Sequence, residues 1–361
     1  MTLEDLRTEL NDVDTRIIDL IAERQRIIGD IGRQKMDSGR GTRDFEREKA
    51  VLGNARAHAS AAGVDPDLAE QVLTALIRAS LESQERERVA AAGAGDGRRA
   101  LVIGGAGKMG RWFVEFFRSQ GFDTAIADRA APSGDDAYAS WQEAGLDFDI
   151  IVVATPLAVS AGILLELAAA RPEALIFDIG SLKTPLREGL AALRDAGCRV
   201  TSLHPMFGPD TRLLSGRHLI VVDVGVPEAT ARARELFAAT MVEQLEMDID
   251  DHDRLIAYVL GLSHALNVVF FTALAESGEA APKLARMSST TFDAQLLVSS
   301  AVARDNPRLY FEIQKLNDYG SETLDALCES AERVRRTVMD NDEDGFVRLM
   351  ERGRDYLATR G

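Results

Sequence analysis

Apolar residues recur every three to four positions from the start of the chain: Leu3, Leu6, Leu10, Val13, Ile17, Leu20, Ile21, Ile27, Ile28 and Ile31, with no proline among them. This period predicts an amphipathic helix that reaches Met36 or beyond. Ser38-Gly39-Arg40-Gly41 breaks it. A second helix starts near Thr42-Arg43-Asp44 and ends before Gly63, and Asp65-Pro66 starts a third that runs to about Arg88. The first helix is too long to bury its apolar stripe on two shorter partners, so a dimer of such units is expected. Residues 89–98, VAAAGAGDGR, are small and glycine-rich and read as a linker.

From Arg99 the period changes. Short β-branched runs at 100–103, 124–127, 149–154, 174–178, 199–202 and 219–223 alternate with helical stretches. That alternation predicts a parallel, doubly wound α/β sheet. Strand signals end near Asp248 and helices continue to the C-terminus. The domains expected are 1–88 (all-α, three helices), 99–247 (α/β) and 248–361 (all-α).

Composition adds exclusions. A chain of 361 residues with 46% apolar and 28% charged residues is a multi-domain globular protein, not a disordered or collagen-like one. Cys198 and Cys328, far apart, suit a reduced, cytoplasmic protein. A net charge of −16 argues against nucleic acid as partner. The N-terminus has no apolar signal region. The stretch 255–275 is long enough to span a membrane, but Ser263, His264 and Asn267 are costly in lipid, and a buried or inter-subunit helix is the expectation, with no membrane partner.

Gly105-x-Gly107-x-x-Gly110 lies between a predicted strand and a predicted helix, the context in which this spacing means a dinucleotide site of the Rossmann type. The first glycine permits the turn, the second admits a pyrophosphate, and the third lets helix and strand pack. Ala106, Lys108 and Met109 complete the loop, and Thr155-Pro156 follows a neighbouring strand. Asp128, about twenty residues on, can accept both ribose hydroxyls, which favours NAD over NADP. Arg129 beside it suits a 2′-phosphate, so NADP stays the lesser alternative. No metal is expected.

A second group follows two other strands: Ser181 and Lys183 after the strand ending at Asp178, and His204-Pro205 after the strand ending near Ser202. Both lie at the ligand-binding edge of such a sheet. A histidine in a strand-end loop beside a nicotinamide can take a proton as hydride leaves. The other histidines are His58, His218, His252 and His264. His264, in the apolar helix, reads equally as a core residue or a substrate contact. His252, in Asp-His-Asp, reads as a helix cap or surface residue.

Gly-Gly-Ala-Gly-Lys-Met-Gly at 104–110, Asp-Ile-Gly-Ser-Leu-Lys at 178–183 and Leu-His-Pro-Met-Phe-Gly-Pro-Asp at 203–210 together resemble prephenate dehydrogenases of the TyrA family. The resemblance implies that His204 takes the proton of the ring hydroxyl, that Ser181 touches the same hydroxyl and the nicotinamide region, that His264 lies near the substrate side chain, and that residues 248–361 form a dimerisation domain. The family's Arg for the ring carboxylate would fall near Ser299–Ala301, where none stands. Arg304, Arg286 or another subunit's side chain is left for that role, and the choice between prephenate and arogenate stays open.

The first 88 residues resemble the helical AroQ class of chorismate mutase at Arg7, Arg24, Lys35, Asp44, Arg47, Glu48, Ser80 and Gln84. The fusion resembles the bifunctional T-protein class of tyrosine biosynthesis. The chemistry agrees with those residue types. Rearranging chorismate to prephenate needs no nucleophile, only cations that fold a dianion and a donor to the breaking ether oxygen. Lys35 lies eleven residues after Arg24 on one helix face, while Arg7, seventeen before it, lies a quarter turn off, which suits reaching a partner's site. The rivals are the same folds acting on arogenate or a 4-amino-4-deoxy analogue, N-terminal helices that only dimerise or regulate, and a sheet domain that senses NAD without turnover.

Overall fold

The computed structural model describes residues 1–38, 41–130, 134 and 136–360. The predicted break at Ser38–Gly41 falls partly outside them, at Gly39 and Arg40.

Three helices open the chain: α1 (Leu3–Asp37), α2 (Phe45–Ala61) and α3 (Pro66–Ala92). Each starts where a side chain can cap it. Thr2 and Asp5 close a capping box on α1, Asp44 accepts from Arg47 N on α2, and Asp65 caps α3 ahead of Pro66. The third helix outruns its expected end near Arg88 by four residues, into the stretch read as linker. Alanine is the best helix former, and Val89 is buried in one apolar cluster with Phe113, Phe116 and Phe117 of the next domain. The joint is thus a packed helix end, stopped by Gly93 in the left-handed conformation at φ 56°.

The second domain is a single sheet of β1 (Arg99–Ile103), β2 (Asp123–Ala127), β3 (Ala137–Tyr138), β4 (Ile150–Val153), β5 (Leu175–Asp178), β6 (Arg199–Pro205), β7 (His218–Val222) and β8 (Glu243–Met247). Their spatial order is β3-β2-β1-β4-β5-β6-β7-β8. Helices α4 (Lys108–Ser119), α5 (Trp141–Ala144), α6 (Leu157–Ala170), α7 (Arg187–Asp195) and α8 (Pro227–Glu235) connect them. The sheet is doubly wound as expected but not wholly parallel, because β7 runs antiparallel to β6. Residues 206–217 join that pair without a crossover helix, and a parallel return ordinarily needs one. Two edge strands, β3 and β8, escaped the sequence pattern. His204 is also corrected: it lies inside β6, paired with Ile220, not in a loop beyond the strand.

The remainder is helical: α9 (Ile249–Ile256), a π-helical turn (Ala257–Leu262), α10 (Ser263–Glu276), α11 (Ala281–Arg286), α12 (Thr290–Arg304), α13 (Pro307–Lys315), α14 (Gly320–Met339) and α15 (Glu343–Ala358). The continuous segment Ile249–Glu276 is long and apolar enough to cross a membrane by length and composition. In the single chain it exposes Leu255, Tyr258, Val259, Leu266, Val268 and Val269.

Candidate active sites

The glycine-rich turn is built as its spacing requires. Gly104 takes φ 85°. A Cβ on Gly105 would lie 2.8 Å from Ile126, and one on Gly110 would lie 2.1 Å from the Gly104 carbonyl oxygen. Only glycine lets α4 approach β1 this closely. The N-cap of α4 is Gly107, which has no side chain to occupy the free N–H groups, so the helix start is open to an anion. Lys108 begins the helix, Met109 packs on the core behind it and Ala106 donates its N–H to Asp128 Oδ2 at 3.2 Å. Asp128 Oδ1 accepts from Ala130 N at 2.9 Å, and Arg129 is exposed beside it. Thr155 adjoins the turn: its methyl is 3.0 Å from where a Gly104 Cβ would stand, its hydroxyl bonds Ser160 at 2.8 Å, and Pro156 caps α6. These features fit a nicotinamide dinucleotide.

At the ends of β5 and β6 a buried polar chain forms. His204 Nδ1 lies 2.9 Å from His252 Nε2, and His252 Nδ1 lies 2.6 Å from Asp253 Oδ1. The carboxylate accepts the Nδ1 proton of His252, so His252 Nε2 is an acceptor and His204 Nδ1 must donate to it. The tautomer of His204 follows: its Nε2 carries a lone pair and no proton. Burial, then the neighbouring His252 and Lys183, hold the His204 pKa well below the usual histidine value. A neutral imidazole with a free Nε2 is the form a general base needs. Burial also lowers His252, against the pull of Asp253. For Asp253 burial works upward, but bonds from His252 and Thr184 prevail and keep its pKa low.

His252 was read from sequence as a cap or surface residue; this is corrected, since it is fully buried between His204 and Asp253. The apparent signal, a His-Asp pair at a helix start, was ambiguous because its partner lies 48 residues away. Lys183 is corrected too. It cannot be a substrate ligand, because it is 0% exposed and its Nζ donates to Asp178 Oδ1 at 2.8 Å and Leu203 O at 2.7 Å. Its role is to pair the buried Asp178, which also accepts from Ser202. Ser181, by contrast, is available: among the described residues its buried Oγ has no hydrogen-bond partner. The same holds for His264 Nδ1, whose ring stacks on Tyr310 at 4.1 Å between centroids. Arg304 lies exposed on the last turn of α12, and buried Ser299 on that helix bonds Asn267.

In the first domain α1 and α3 bring together four of the expected residues. Arg24 Nη1 donates to Ser80 Oγ at 2.8 Å and to Leu76 O at 3.2 Å, and burial lowers the Arg24 pKa. Gln84 Nε2 donates to Ile28 O at 3.3 Å, and Lys35 Nζ to Thr42 O at 2.9 Å. Lys35 and Gln84 line one small cavity with Gly32, Met36, Thr42 and Glu87. Glu48 is bound by Arg43, a residue the sequence marked only at the start of the second helix. Asp44 caps α2, and Arg47 is exposed. Arg7 stands apart and exposed near the start of α1, 3.6 Å from Glu4.

Known families match this chain in three consecutive pieces: chorismate mutase type II over residues 6–85, the nucleotide-binding domain of prephenate dehydrogenase over 123–238 and its dimerization domain over 248–352. A T-protein of Enterobacter agglomerans is 27% identical over 312 residues, 85% of this chain and 80% of that one. A T-protein of Haemophilus influenzae is 24% identical over 358 residues, 99% of this chain and 92% of that one. Among solved structures, prephenate dehydrogenase from A. aeolicus, in complex with hydroxyphenyl propionate and NAD+, superposes with a TM-score of 0.58 at 17% identity, covering 73% of this chain and 98% of that one, a likeness of fold. The chain therefore carries a chorismate mutase type II domain in its N-terminal helices and, in the sheet and helices that follow, the nucleotide-binding and dimerization domains of prephenate dehydrogenase.

Proposed function

We propose that the chain rearranges chorismate to prephenate on its N-terminal helices and then oxidises and decarboxylates prephenate to 4-hydroxyphenylpyruvate, with NAD as the acceptor. The observation that carries the second step is the His204–His252–Asp253 chain, which leaves His204 Nε2 unprotonated at the ligand edge of the sheet. His204 takes the proton of the ring hydroxyl, and Ser181 Oγ, just past the neighbouring strand β5 and without a hydrogen-bond partner among the described residues, would orient that hydroxyl. The carbon bearing the hydroxyl gives up hydride, and the bond to the ring carboxylate breaks, releasing carbon dioxide and leaving its electron pair to complete the aromatic ring as a phenolate, which takes the proton back from His204. A nicotinamide dinucleotide, when bound, supplies the hydride acceptor. Gly105, Ala106, Gly107, Lys108, Met109 and Gly110 would hold its phosphates, Asp128 its ribose hydroxyls, and Thr155-Pro156 would border the site. Asp128 is the reason for preferring NAD, with Arg129 the residue that would serve NADP. His264 would meet the substrate side chain and Arg304 a carboxylate.

In the first step Arg24 and Lys35 hold the dianion folded, and Gln84 donates to the ether oxygen as negative charge develops there. Glu48, Ser80, Asp44 and Arg47 line the same site, and Arg7 reaches it from a second copy of the chain. A homodimer is supported by the exposed apolar rows of α1 and of Ile249–Glu276.

One assay tests the whole reading. The purified chain given chorismate and NAD should form NADH, as it should with prephenate. Arg24→Ala should abolish the first and spare the second, and His204→Asn should abolish both while chorismate is still consumed. No consumption of chorismate by the wild-type chain would reject the mutase; NADP or arogenate outperforming NAD or prephenate in parallel assays would reject those choices.

A further inference from the structure

One contact between the helical and sheet domains runs from Ser215 through Arg43 to Glu48. Arg43 Nε donates to Glu48 Oε1 and Nη2 to Oε2, both at 3.0 Å. The third arm of the guanidinium, Nη1, donates to Ser215 Oγ at 2.7 Å, and its carbon lies 4.3 Å from the Phe45 ring centroid. Ser215 belongs to the other domain, in residues 206–217 between β6 and β7, the segment that leaves His204. The neighbouring backbone is pinned to the same helical domain: Glu85, next to Gln84 on α3, accepts from Leu214 N at 2.8 Å and from Met241 N at 2.5 Å. Arg43 and Glu48 are both half-buried, with side-chain exposures of 30% and 19%.

We infer that Arg43 is a positioning residue for the mutase reaction and that Ser215, supplied by the dehydrogenase domain, holds it in place. The inference rests on reading Glu48 as a mutase residue. A glutamate has three side-chain torsions, and a two-point fork on its carboxylate removes that freedom while leaving lone pairs for a substrate hydroxyl. Arginine is itself a long, rotamer-rich side chain, so the fork orients Glu48 only if the guanidinium is fixed from elsewhere. Phe45 holds one of its faces and Ser215 its remaining arm. The orientation of a group in the first active site therefore depends on a hydroxyl in the second domain.

The test uses the full-length chain and measures both activities separately. Ser215→Ala should lower mutase kcat about three- to tenfold, the worth of one ordinary intramolecular hydrogen bond, with KM for chorismate and NADH formation from prephenate unchanged. Ser215→Thr should restore most of that loss. Arg43→Ala should cost about a hundredfold in kcat, as misplacement of a reacting group does, and Arg43→Lys, with a charge but no fork, should fall between. Wild-type mutase kcat in Ser215→Ala, an equal loss in Ser215→Thr, or full activity in Arg43→Lys would each overturn the inference. A wild-type chain that does not consume chorismate would reject the mutase reading, and the inference with it. A wild-type chain that does, with Ser215→Ala indistinguishable from it, would reject the inference alone.

Discussion

His204 shows how much a side chain's chemistry depends on what surrounds it. Its pKa is depressed by burial first and then by His252 and Lys183, so the base stays neutral as pH falls through the ordinary histidine range. The acid limb of kcat/KM for prephenate should therefore lie below the usual histidine value. Lys183→Met removes a depressing charge and should move that limb to higher pH, which a profile from pH 5 to 9 would show. An unmoved limb would count against His204 as the titrating base. The same substitution strands Asp178 in the interior, at about 3–5 kcal/mol, so a lower Tm should accompany it. Stability should respond to pH through both buried histidines. In the unfolded chain they take up protons as pH drops below about 6.5, whereas in the folded chain they resist, so acid favours unfolding. Their effect is nil at pH 7.5 and above and destabilising at pH 5.5, and thermal melts at the two values measure it. The sequence pointed to His204 through its strand-end position and its motif. It did not point to His252, because a His-Asp pair at a helix start serves equally as a cap.

Among the elements, α4 is the one whose placement decides function, because its first turn is the anion-binding end. Gly110→Ala would set a methyl group 2.1 Å from the Gly104 carbonyl oxygen and push the helix from β1. NADH affinity should fall at least about tenfold and stability by about 1–3 kcal/mol, the range for overpacking. Fluorescence titration of NADH and a melt would show both, while chorismate consumption should persist. The long helices were legible because the apolar period of α1 extends over many turns, and β1, β4 and β5 because buried parallel strands are continuous apolar runs. The edges were not. β3 is two residues long, and β8 reads Glu-Gln-Leu-Glu-Met with every residue half-buried or exposed. The last four residues of α3 looked like a linker until Val89 joined the phenylalanines of α4 in one apolar cluster.

At the scale of the molecule, α1 leaves an apolar row uncovered, with Leu10, Val13, Ile17 and Leu20 each more than 40% exposed. Burying one such side chain contributes about 1.5–3 kcal/mol, enough for a few of them to decide association. Ile17→Asp should make mutase activity fall steeply on dilution, while NADH formation from prephenate, whose subunit contacts we assign to the C-terminal helices, changes little. Activity measured across a dilution series checks this, and concentration-independent mutase turnover in the variant would exclude a partner's Arg7 from the site.

The order of three domains, the glycine turn and the basic residues of α1 and α2 are properties of local sequence: periodicity, spacing and residue type express them without any long-range contact. The direction of β7, the burial of Lys183, the His204–His252–Asp253 chain and the bridge from Ser215 through Arg43 to Glu48 depend on residues many positions apart meeting in space. A linear pattern records which groups are present. Which lone pair is free, which charge is neutralised and which domain steadies the other are settled only when the chain closes around them.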